Sequence, residues 1–308
     1  MIFPQDVHSR YESALSAFVN KIKNDPNILA IILYGSLAKD SAWEKSDVDT
    51  YVLVREMKSK VHSYCIEEDG IIINVNLQSE LDFKRSLEKS QGGGMNHSFF
   101  SRAKIMYATD DSWHDFLADM QKFGADDRAL SFFQEATGLI GQIEKVEKWL
   151  AVREDPLYAQ LNVLYLANYY ANMRLILDGK PISREAIVKV MEYDPATMKM
   201  LYERPLSGKM SRMEIKVIIA FCRQFLTDNL DLIKKPITAY MSYGEVHTVT
   251  ALVRHFNSFS HGIYHIFDFL AEMGIMARTT QPVRITPKSR HTADEVAFVY
   301  IENMEGMQ

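Results

Sequence analysis

The first part of the chain combines one helical pattern with several short apolar runs. Apolar side chains recur at helical spacing from residue 7 to residue 23, and Asn24-Asp25-Pro26 ends that pattern. Bounded apolar runs of strand length follow, and we interpret them as strands at 28–34, 49–55, 61–66, 71–77 and 104–108. The dipeptide Asp69-Gly70 separates two of these runs and is typical of a hairpin turn. The pattern predicts a small mixed sheet.

The character of the sequence changes after about Asp126. Apolar residues at helical spacing, with few strand signals, predict helices at 127–150, 157–178, 183–193 and 212–234. We therefore expect a helical bundle in the middle of the chain.

A third region begins near Lys235-Pro236. Helical patterns at 245–256 and 261–273 lead there into alternating segments around 282–286 and 296–301. Helices followed by a two-stranded ribbon indicate a winged-helix-like module. The predicted fold class is α+β, with a mixed-sheet domain at 1–124, a helical domain at 125–236 and the winged-helix-like domain at 237–308.

Length and composition agree with several folded domains. A chain of 308 residues exceeds what one ordinary core supports, and 47% hydrophobic with 24% charged residues is typical of globular proteins. The formal net charge is -5, so no overall positive field favours nonspecific binding to nucleic acid.

The two cysteines and the apolar segments bear on location. Cys65 and Cys222 lack the spacing of a metal site, which predicts reduced thiols that act as small buried hydrophobes. The N-terminal residues lack the pattern of a signal peptide, and no apolar stretch approaches the roughly 18 to 20 residues that span a bilayer. We expect a cytoplasmic protein without membrane contact.

The segment 33–54, LYGSLAKDSAWEKSDVDTYVLV, carries the candidate chemistry. A buried strand leads into Gly35-Ser36, where backbone N–H groups and a hydroxyl can donate to phosphate oxygens. Asp47 and Asp49 lie at i and i+2, so on a strand both carboxylates project from one face. Such a pair repels unless a cation lies between them, and Mg²⁺ prefers oxygen ligands. The alternative is an ordinary turn followed by two solvated acids.

These motifs resemble the polymerase-beta-like nucleotidyltransferases, whose pattern is a Gly-Ser turn followed by a strand with Asp-x-Asp. Within them, the sequence is most similar to the branch of kanamycin and other aminoglycoside nucleotidyltransferases. The segment GIIINVNLQSELDF at 70–83 resembles the strand that carries that branch's third carboxylate. HSFFS at 97–101 and the helix with Glu144, Lys148 and Trp149 are also similar.

The resemblance implies a role for each matching residue. Gly35 and Ser36 would hold the triphosphate, and Asp47 and Asp49 would be catalytic ligands of Mg²⁺. The third carboxylate position falls on Asn74, whose amide can bind but supplies no negative charge and cannot act as a base.

Other charged residues leave alternatives open. The resemblance makes Glu144 the candidate general base and Glu147 a second candidate, while an ordinary charged helix face is the slightly favoured alternative. Lys39 and Arg55 flank the motif and would either contact phosphate or stay solvated.

Two groups in the C-terminal region carry further alternatives. A metal cluster is a weaker interpretation than core or helix-surface positions for His247, His255, His261 and His265. The stretch 274–291 has no acidic residue and contains Arg278, Arg284, Lys288 and Arg290. Such a stretch suits a wing that contacts a DNA backbone. A structural or dimerising module is the favoured alternative, which includes a homodimer among the expected partners.

The predicted function is Mg²⁺-dependent transfer of a nucleoside monophosphate from a nucleoside triphosphate (NTP) to a hydroxyl of a small-molecule acceptor. Whether one or two metal ions act is left open. The alternative is a catalytically impaired NTP-binding regulator that uses its C-terminal winged helix to contact DNA or protein. Asn74 and the basic stretch motivate that alternative.

Overall fold

The computed structural model describes residues 4–39, 42–88, 100 and 102–301 of the chain. The residues form two compact units, Met1–Gly124 and Ala125–Gln308. A further division at residue 236 stays a prediction. Within the described ranges, every helix is too short or too polar to cross a bilayer.

The first unit is built on a mixed five-stranded sheet. Its elements are α1 (Pro4–Ile22), β1 (Ile28–Tyr34), α2 (Gly35–Ala38), β2 (Val48–Val54), β3 (Ser63–Glu68), β4 (Ile71–Ser79), α3 (Glu80–Glu88), β5 (Lys104–Ala108) and α4 (Ser112–Met120). The strand order is β3-β4-β2-β1-β5, in which β2 and β4 are parallel and all other neighbours are antiparallel. The predicted mixed sheet is confirmed.

Both faces of β1 are buried, which explains its continuous apolar run. Ile31 and Leu33 pack in one core together with Phe18 of α1. Ile32 packs in a second core that includes Phe83 of α3 and Trp113 of α4. Helices therefore pack on both sides of the sheet at β1.

The second unit is mainly helical. Its helices are α5 (Ala125–Glu147), the π-helix Lys148–Val152, α6 (Pro156–Leu177), α7 (Ala186–Met191), α8 (Pro195–Met198), the π-helix Lys199–Glu203, α9 (Arg204–Leu206), α10 (Arg212–Asp228), α11 (Leu230–Tyr240), α12 (Val249–His255) and α13 (Ser260–Glu272). Helix α5 packs against α6, α10, α11 and α13, so it forms the centre of the bundle.

Two predicted helices in this unit have different limits. The segment predicted as one helix at 212–234 is divided at Asn229 into α10 and α11. Residues 148–150, predicted as the end of an α-helix, belong instead to the π-helix Lys148–Val152. Helical periodicity does not distinguish these local changes, because the apolar face continues across them.

The C-terminal region contains a three-stranded sheet rather than a two-stranded ribbon. Its strands are β6 (Val246–Thr248), β7 (Met276–Val283) and β8 (Ala293–Tyr300), in the order β6-β8-β7. The helix predicted at 245–256 is wrong at its start, because β6 pairs with β8 and Thr248 caps α12. The strand predicted at 282–286 is displaced, since pairing with β8 begins at Met276 and ends at Val283. The name winged helix stays an interpretation.

Two glycines of α5 give a test of the helical packing. A Cβ on Gly138 would collide with the ring of Tyr169, whereas one on Gly141 would come no closer than 3.7 Å to His261. Gly138→Ala should therefore lower the free energy of unfolding by about 1–3 kcal/mol. Gly141→Ala should raise it by about 0.5–1 kcal/mol through helix propensity.

The measurement is denaturant unfolding followed by circular dichroism, with both variants under the same conditions. Equal midpoints for the two variants would contradict the close packing of Tyr169 on Gly138.

Candidate functional site

Directly after β1, the backbone at Gly35 passes close to the side chain of Asp49. Its φ is +82°, a backbone conformation that favours glycine, and a Cβ at this position would collide with the Asp49 carboxylate. Pairing of Tyr34 with Asp49 across β1 and β2 places the two residues side by side. Only glycine therefore lets the backbone pass this close to the carboxylate.

Asp47 and Asp49 converge on the amide of Asn74. The Asn74 Nδ2 donates to Asp47 Oδ2 at 2.5 Å and to Asp49 Oδ1 at 3.3 Å. Asp47 lies just before β2 and is exposed, while Asp49 lies on the strand and is half-buried. One N–H₂ group is thus shared by two like charges that would otherwise repel.

The register of β2 and β4 produces this convergence. The two strands are parallel, and Asp49 pairs with Asn74. The neighbouring pair, Val48 and Ile73, is fully buried, so the polar pair must project from the opposite face. Buried Thr50 also donates from Oγ1 to the Asn74 carbonyl oxygen at 3.0 Å. Asn74 is therefore held at its backbone as well as at its amide.

A contact from α1 positions the segment before Asp47. The Tyr11 hydroxyl donates to the Ser46 carbonyl oxygen at 2.7 Å. Ser46 in turn closes a turn with Trp43 through two hydrogen bonds of 2.9 and 3.0 Å. Burial is the main cause that raises the pKa of Tyr11, so its hydroxyl stays protonated and can donate.

Aromatic residues lie beside Asp49. The ring of Tyr34 lies 4.9 Å from that of Tyr51 and 6.0 Å from that of Phe100. Asn76 donates to the Tyr34 hydroxyl at 2.7 Å. The pKa of Tyr34 is raised mainly by burial and next by the nearby Tyr51 and Asp49. The pKa of Tyr51 is raised by burial and by Asp49. Both phenols stay neutral beside the carboxylates.

Sequence reasoning missed Tyr11, Tyr34 and Asn76 as parts of this site. The alternation Asn74-Val75-Asn76 was a usable signal, because residues at i and i+2 share a face of the strand. The contact of Tyr11 with Ser46 spans 35 residues and leaves no local pattern.

Ser36 and Lys39 lie on and directly after α2, the short helix that Gly35 begins. Both are half-buried, and both have contacts in the structure. Arg55 is exposed at the far end of β2. Phosphate binding by Ser36 and Lys39 stays a prediction. The similarity of 97–101 also stays a prediction, because these residues apart from Phe100 lie outside the described ranges. The run Gly92-Gly93-Gly94, whose composition is typical of a loop, lies outside them as well.

The donor set fits a hard divalent cation. Two carboxylates face one point, and the Asn74 amide nitrogen lies between them, where a cation would neutralise both. Among the residues that the structure describes, no group of three or more His, Cys, Asp or Glu could hold a metal. Further ligands for an ion at Asp47 and Asp49 would therefore be amide, phosphate or water oxygens, which is a common environment of Mg²⁺.

Glu144 and Glu147, both on α5 of the second unit, differ in their surroundings. Glu144 Oε2 lies 2.6 Å from His265 Nδ1, and burial is the main cause that raises the pKa of Glu144. Glu147 instead forms an ion pair with Arg223, with N–O distances from 3.0 to 3.2 Å. The raised pKa makes the Glu144 carboxylate a better base, whereas the Glu147 carboxylate is already engaged by the Arg223 guanidinium.

The four C-terminal histidines form two separate groups. His261 and His265 are neighbours on α13, with ring nitrogens 2.9 Å apart. His247 and His255 each lie against the ring of Tyr240. The positions agree with the helix-surface and core interpretation rather than with one metal cluster.

The basic stretch and the cysteines differ partly from expectation. Arg278 lies on β7, 3.5 Å from Asp268 and over the ring of Tyr264, so it stabilises its own unit. The exposed connection between β7 and β8 carries Arg284, Lys288 and Arg290. Cys222 is buried as expected, but the prediction for Cys65 is wrong, because edge strand β3 leaves it exposed.

Comparisons with known proteins agree with this geometry. The model of the family described as "Polymerase beta, Nucleotidyltransferase" matches residues 18–112, which include Gly35, Asp47, Asp49 and Asn74. Residues 18–112 form a polymerase-beta-type nucleotidyltransferase domain. No curated protein matches the sequence of the whole chain.

Two solved structures align with this chain. A nucleotidyltransferase-like protein from Exiguobacterium sibiricum 255-15 aligns with a TM-score of 0.67 at 15% identity, over 94% of this chain and 99% of that one. This likeness shows the fold. The spectinomycin adenyltransferase AAD(9) from Enterococcus faecialis, solved with ATP and spectinomycin, aligns with a TM-score of 0.33 at 12% identity, over 70% of this chain and 99% of that one.

The shared amide of Asn74 predicts a metal-dependent stability. Asn74→Asp replaces the N–H donor with a third carboxylate, so without divalent ions the unfolding free energy should fall by about 1–3 kcal/mol. Added Mg²⁺ should raise the melting temperature of this variant more than that of the native protein. Differential scanning calorimetry in EDTA and in Mg²⁺ measures both effects.

Asn76→Asp is the matched control, since it adds the same charge two residues along the same strand. If Mg²⁺ raised the melting temperature of Asn76→Asp as much as that of Asn74→Asp, the effect would not be specific to the Asp47 and Asp49 pair.

Proposed function

We propose that the protein transfers a nucleoside monophosphate from an NTP to a hydroxyl of a small-molecule acceptor, with Mg²⁺ as cofactor. The observation that carries this proposal is the convergence of Asp47, Asp49 and Asn74 beside the glycine turn at Gly35. It lies within a nucleotidyltransferase domain, which gives the reaction class.

In this proposal the turn residues bind the triphosphate. Ser36 supplies a hydroxyl and the backbone after Gly35 supplies N–H donors, which together neutralise phosphate oxygens as they approach. Lys39 at the end of α2 adds a positive charge. The glycine is required because a side chain there would displace Asp49.

Asp47 and Asp49 would hold Mg²⁺, which when bound stabilises negative charge on the phosphates during transfer. Asn74 keeps the two carboxylates together before binding. Rotation of its amide would then replace the N–H₂ group by the Oδ1 oxygen, an acceptor that suits a cation. The amide thereby serves both states of the site, although it adds no charge.

Glu144 is proposed as the general base for the acceptor hydroxyl. The hydroxyl oxygen forms a bond to the α-phosphorus, the bond from that phosphorus to the bridging oxygen breaks, and pyrophosphate leaves with its electron pair. The hydroxyl proton passes to the Glu144 carboxylate. Burial raises the pKa of Glu144, which makes its carboxylate a stronger base, whereas the Glu147 carboxylate is engaged in an ion pair with Arg223.

A second candidate function is favoured by one observation, the hydrogen bonds from Asn74 to both carboxylates. An amide in that position suits a protein that binds Mg-NTP but turns it over slowly or not at all. The C-terminal module would then contact DNA or protein, through the exposed cations between β7 and β8 or through a homodimer. Saturable Mg-NTP binding without pyrophosphate release, across a panel of hydroxyl acceptors, would favour this alternative.

The double variant Asp47→Asn and Asp49→Asn tests the shared site. It should weaken Mg-NTP binding at least tenfold and abolish pyrophosphate release, because both proposed metal ligands lose their charge. Isothermal titration and a pyrophosphate assay with ATP and GTP measure the two effects. Asp69→Asn, at the turn between β3 and β4, is the control and should leave both unchanged. Native affinity in the double variant would disprove the site.

The two glutamates of α5 test the base. Glu144→Gln should lower kcat about 100-fold or more with little change in NTP affinity, while Glu147→Gln should change kcat only severalfold. In the native enzyme, kcat should rise with pH through the raised pKa of Glu144, because the carboxylate form accepts the proton. This rise should be absent in Glu144→Gln. Equal losses in both variants would contradict the assignment.

A further inference from the structure

A groove in the second unit combines positive charge with an apolar floor. We name it the basic groove; it has a volume of about 360 Å³ and is lined by Glu147, Leu150, Ala151, Arg212, Lys216, Ile219, Ala220 and Arg223. Its size falls within the range of small-molecule sites, which are largely apolar with a few polar groups. None of the residues of the proposed metal and nucleotide site lies in it.

One wall of the groove is a single face of α10. Arg212, Lys216 and Ala220 follow one another at intervals of four residues, so they lie in one row along the helix. The capping box of Ser211 and Glu214 fixes the first turn of this helix, which begins at Arg212. The cationic end of the row is therefore part of a well-defined element.

The opposite wall comes from the end of α5 and the π-helix that follows. The π-helix Lys148–Val152 places Leu150 and Ala151 at the groove, and π-helical turns of this kind are frequent at functional sites. Arg212 Nη1 donates to the Leu150 carbonyl oxygen at 3.1 Å, which joins the two walls and orients the guanidinium at the groove.

The charges are unequal at the two ends of the groove. At one end Arg223 is neutralised by its ion pair with Glu147. At the other end, Arg212 and Lys216 form no ion pair with a carboxylate among the residues that the structure describes. Between the ends, Leu150, Ala151 and Ile219 give the floor its apolar character.

We propose that the basic groove binds a small organic anion. Its phosphate or carboxylate group would contact Arg212 and Lys216, and its apolar body would lie against Leu150 and Ile219. A planar guanidinium donates to either kind of oxyanion with two parallel hydrogen bonds, which Arg212 can do with the N–H groups not used by Leu150. The assignment of this site does not rest on the proposed transfer chemistry, although Glu147, the second candidate base, is one of its lining residues.

Phenyl phosphate tests the proposal, because it joins an oxyanion to an apolar ring. Isothermal titration of the full chain in EDTA excludes metal-dependent binding at Asp47 and Asp49. We expect saturable binding with a Kd on the order of 1 mM, and at least tenfold weaker binding of inorganic phosphate and of phenol. Equal affinity for phenol would overturn the role of the cations, and equal affinity for inorganic phosphate would overturn that of the floor.

Variants separate this groove from other surfaces. The double variant Arg212→Gln and Lys216→Gln should weaken phenyl phosphate binding about tenfold, while Lys199→Gln, an exposed lysine outside the groove, should not change it. Ala220→Phe places a ring into the groove from an exposed helical position and should also weaken binding about tenfold without loss of circular dichroism. Native affinity in both the double variant and Ala220→Phe would overturn the proposal.

Discussion

The parallel pairing of β2 with β4 is the constraint on which the candidate site depends. Val48 and Ile73 are buried as a pair, and this burial prevents a slip of one residue that would turn every side chain to the other face. Asp49 and Asn74 consequently project together on the opposite face. The convergence of the Asp49 carboxylate and the Asn74 amide follows from this register, and the close passage of Gly35 follows from the pairing of Tyr34 with Asp49 across β1 and β2.

The two glutamates of α5 differ because of the residues that surround them. Glu144 and Glu147 are one helical turn apart and chemically identical, but one is desolvated and the other is paired with Arg223. Desolvation raises the pKa of Glu144, whereas the Glu147 carboxylate is held by the Arg223 guanidinium. The different surroundings come from neighbours on α10 and α13, not from the segment that contains the glutamates.

Sequence patterns predicted those features whose cause is local. The strand at 28–34 and the one at 104–108 have the predicted limits, because each is a bounded apolar run. The common face of Asp47 and Asp49 was expected from their i, i+2 spacing, whereas a place for Asn74 beside them was implied only by the family resemblance. Strand β6 was missed and β7 was displaced, since both depend on pairing with distant β8. The exposure of Cys65 depends likewise on its strand lying at the sheet edge. The roles of Ser36, Lys39 and Glu144 stay predictions because they are defined by contact with a ligand.

Because Tyr11 contacts Ser46, the residues that shape the site extend beyond the residues that match the family model. The family match begins at residue 18, yet the hydroxyl that holds the turn before Asp47 belongs to Tyr11. Tyr11 is also buried against the sheet, so α1 transmits the rigidity of the core to the exposed carboxylate. The segment before Asp47 is thereby held from a helix whose Tyr11 lies outside the residues that match the family model. The smallest piece of this protein that keeps its site geometry must begin before its recognisable domain.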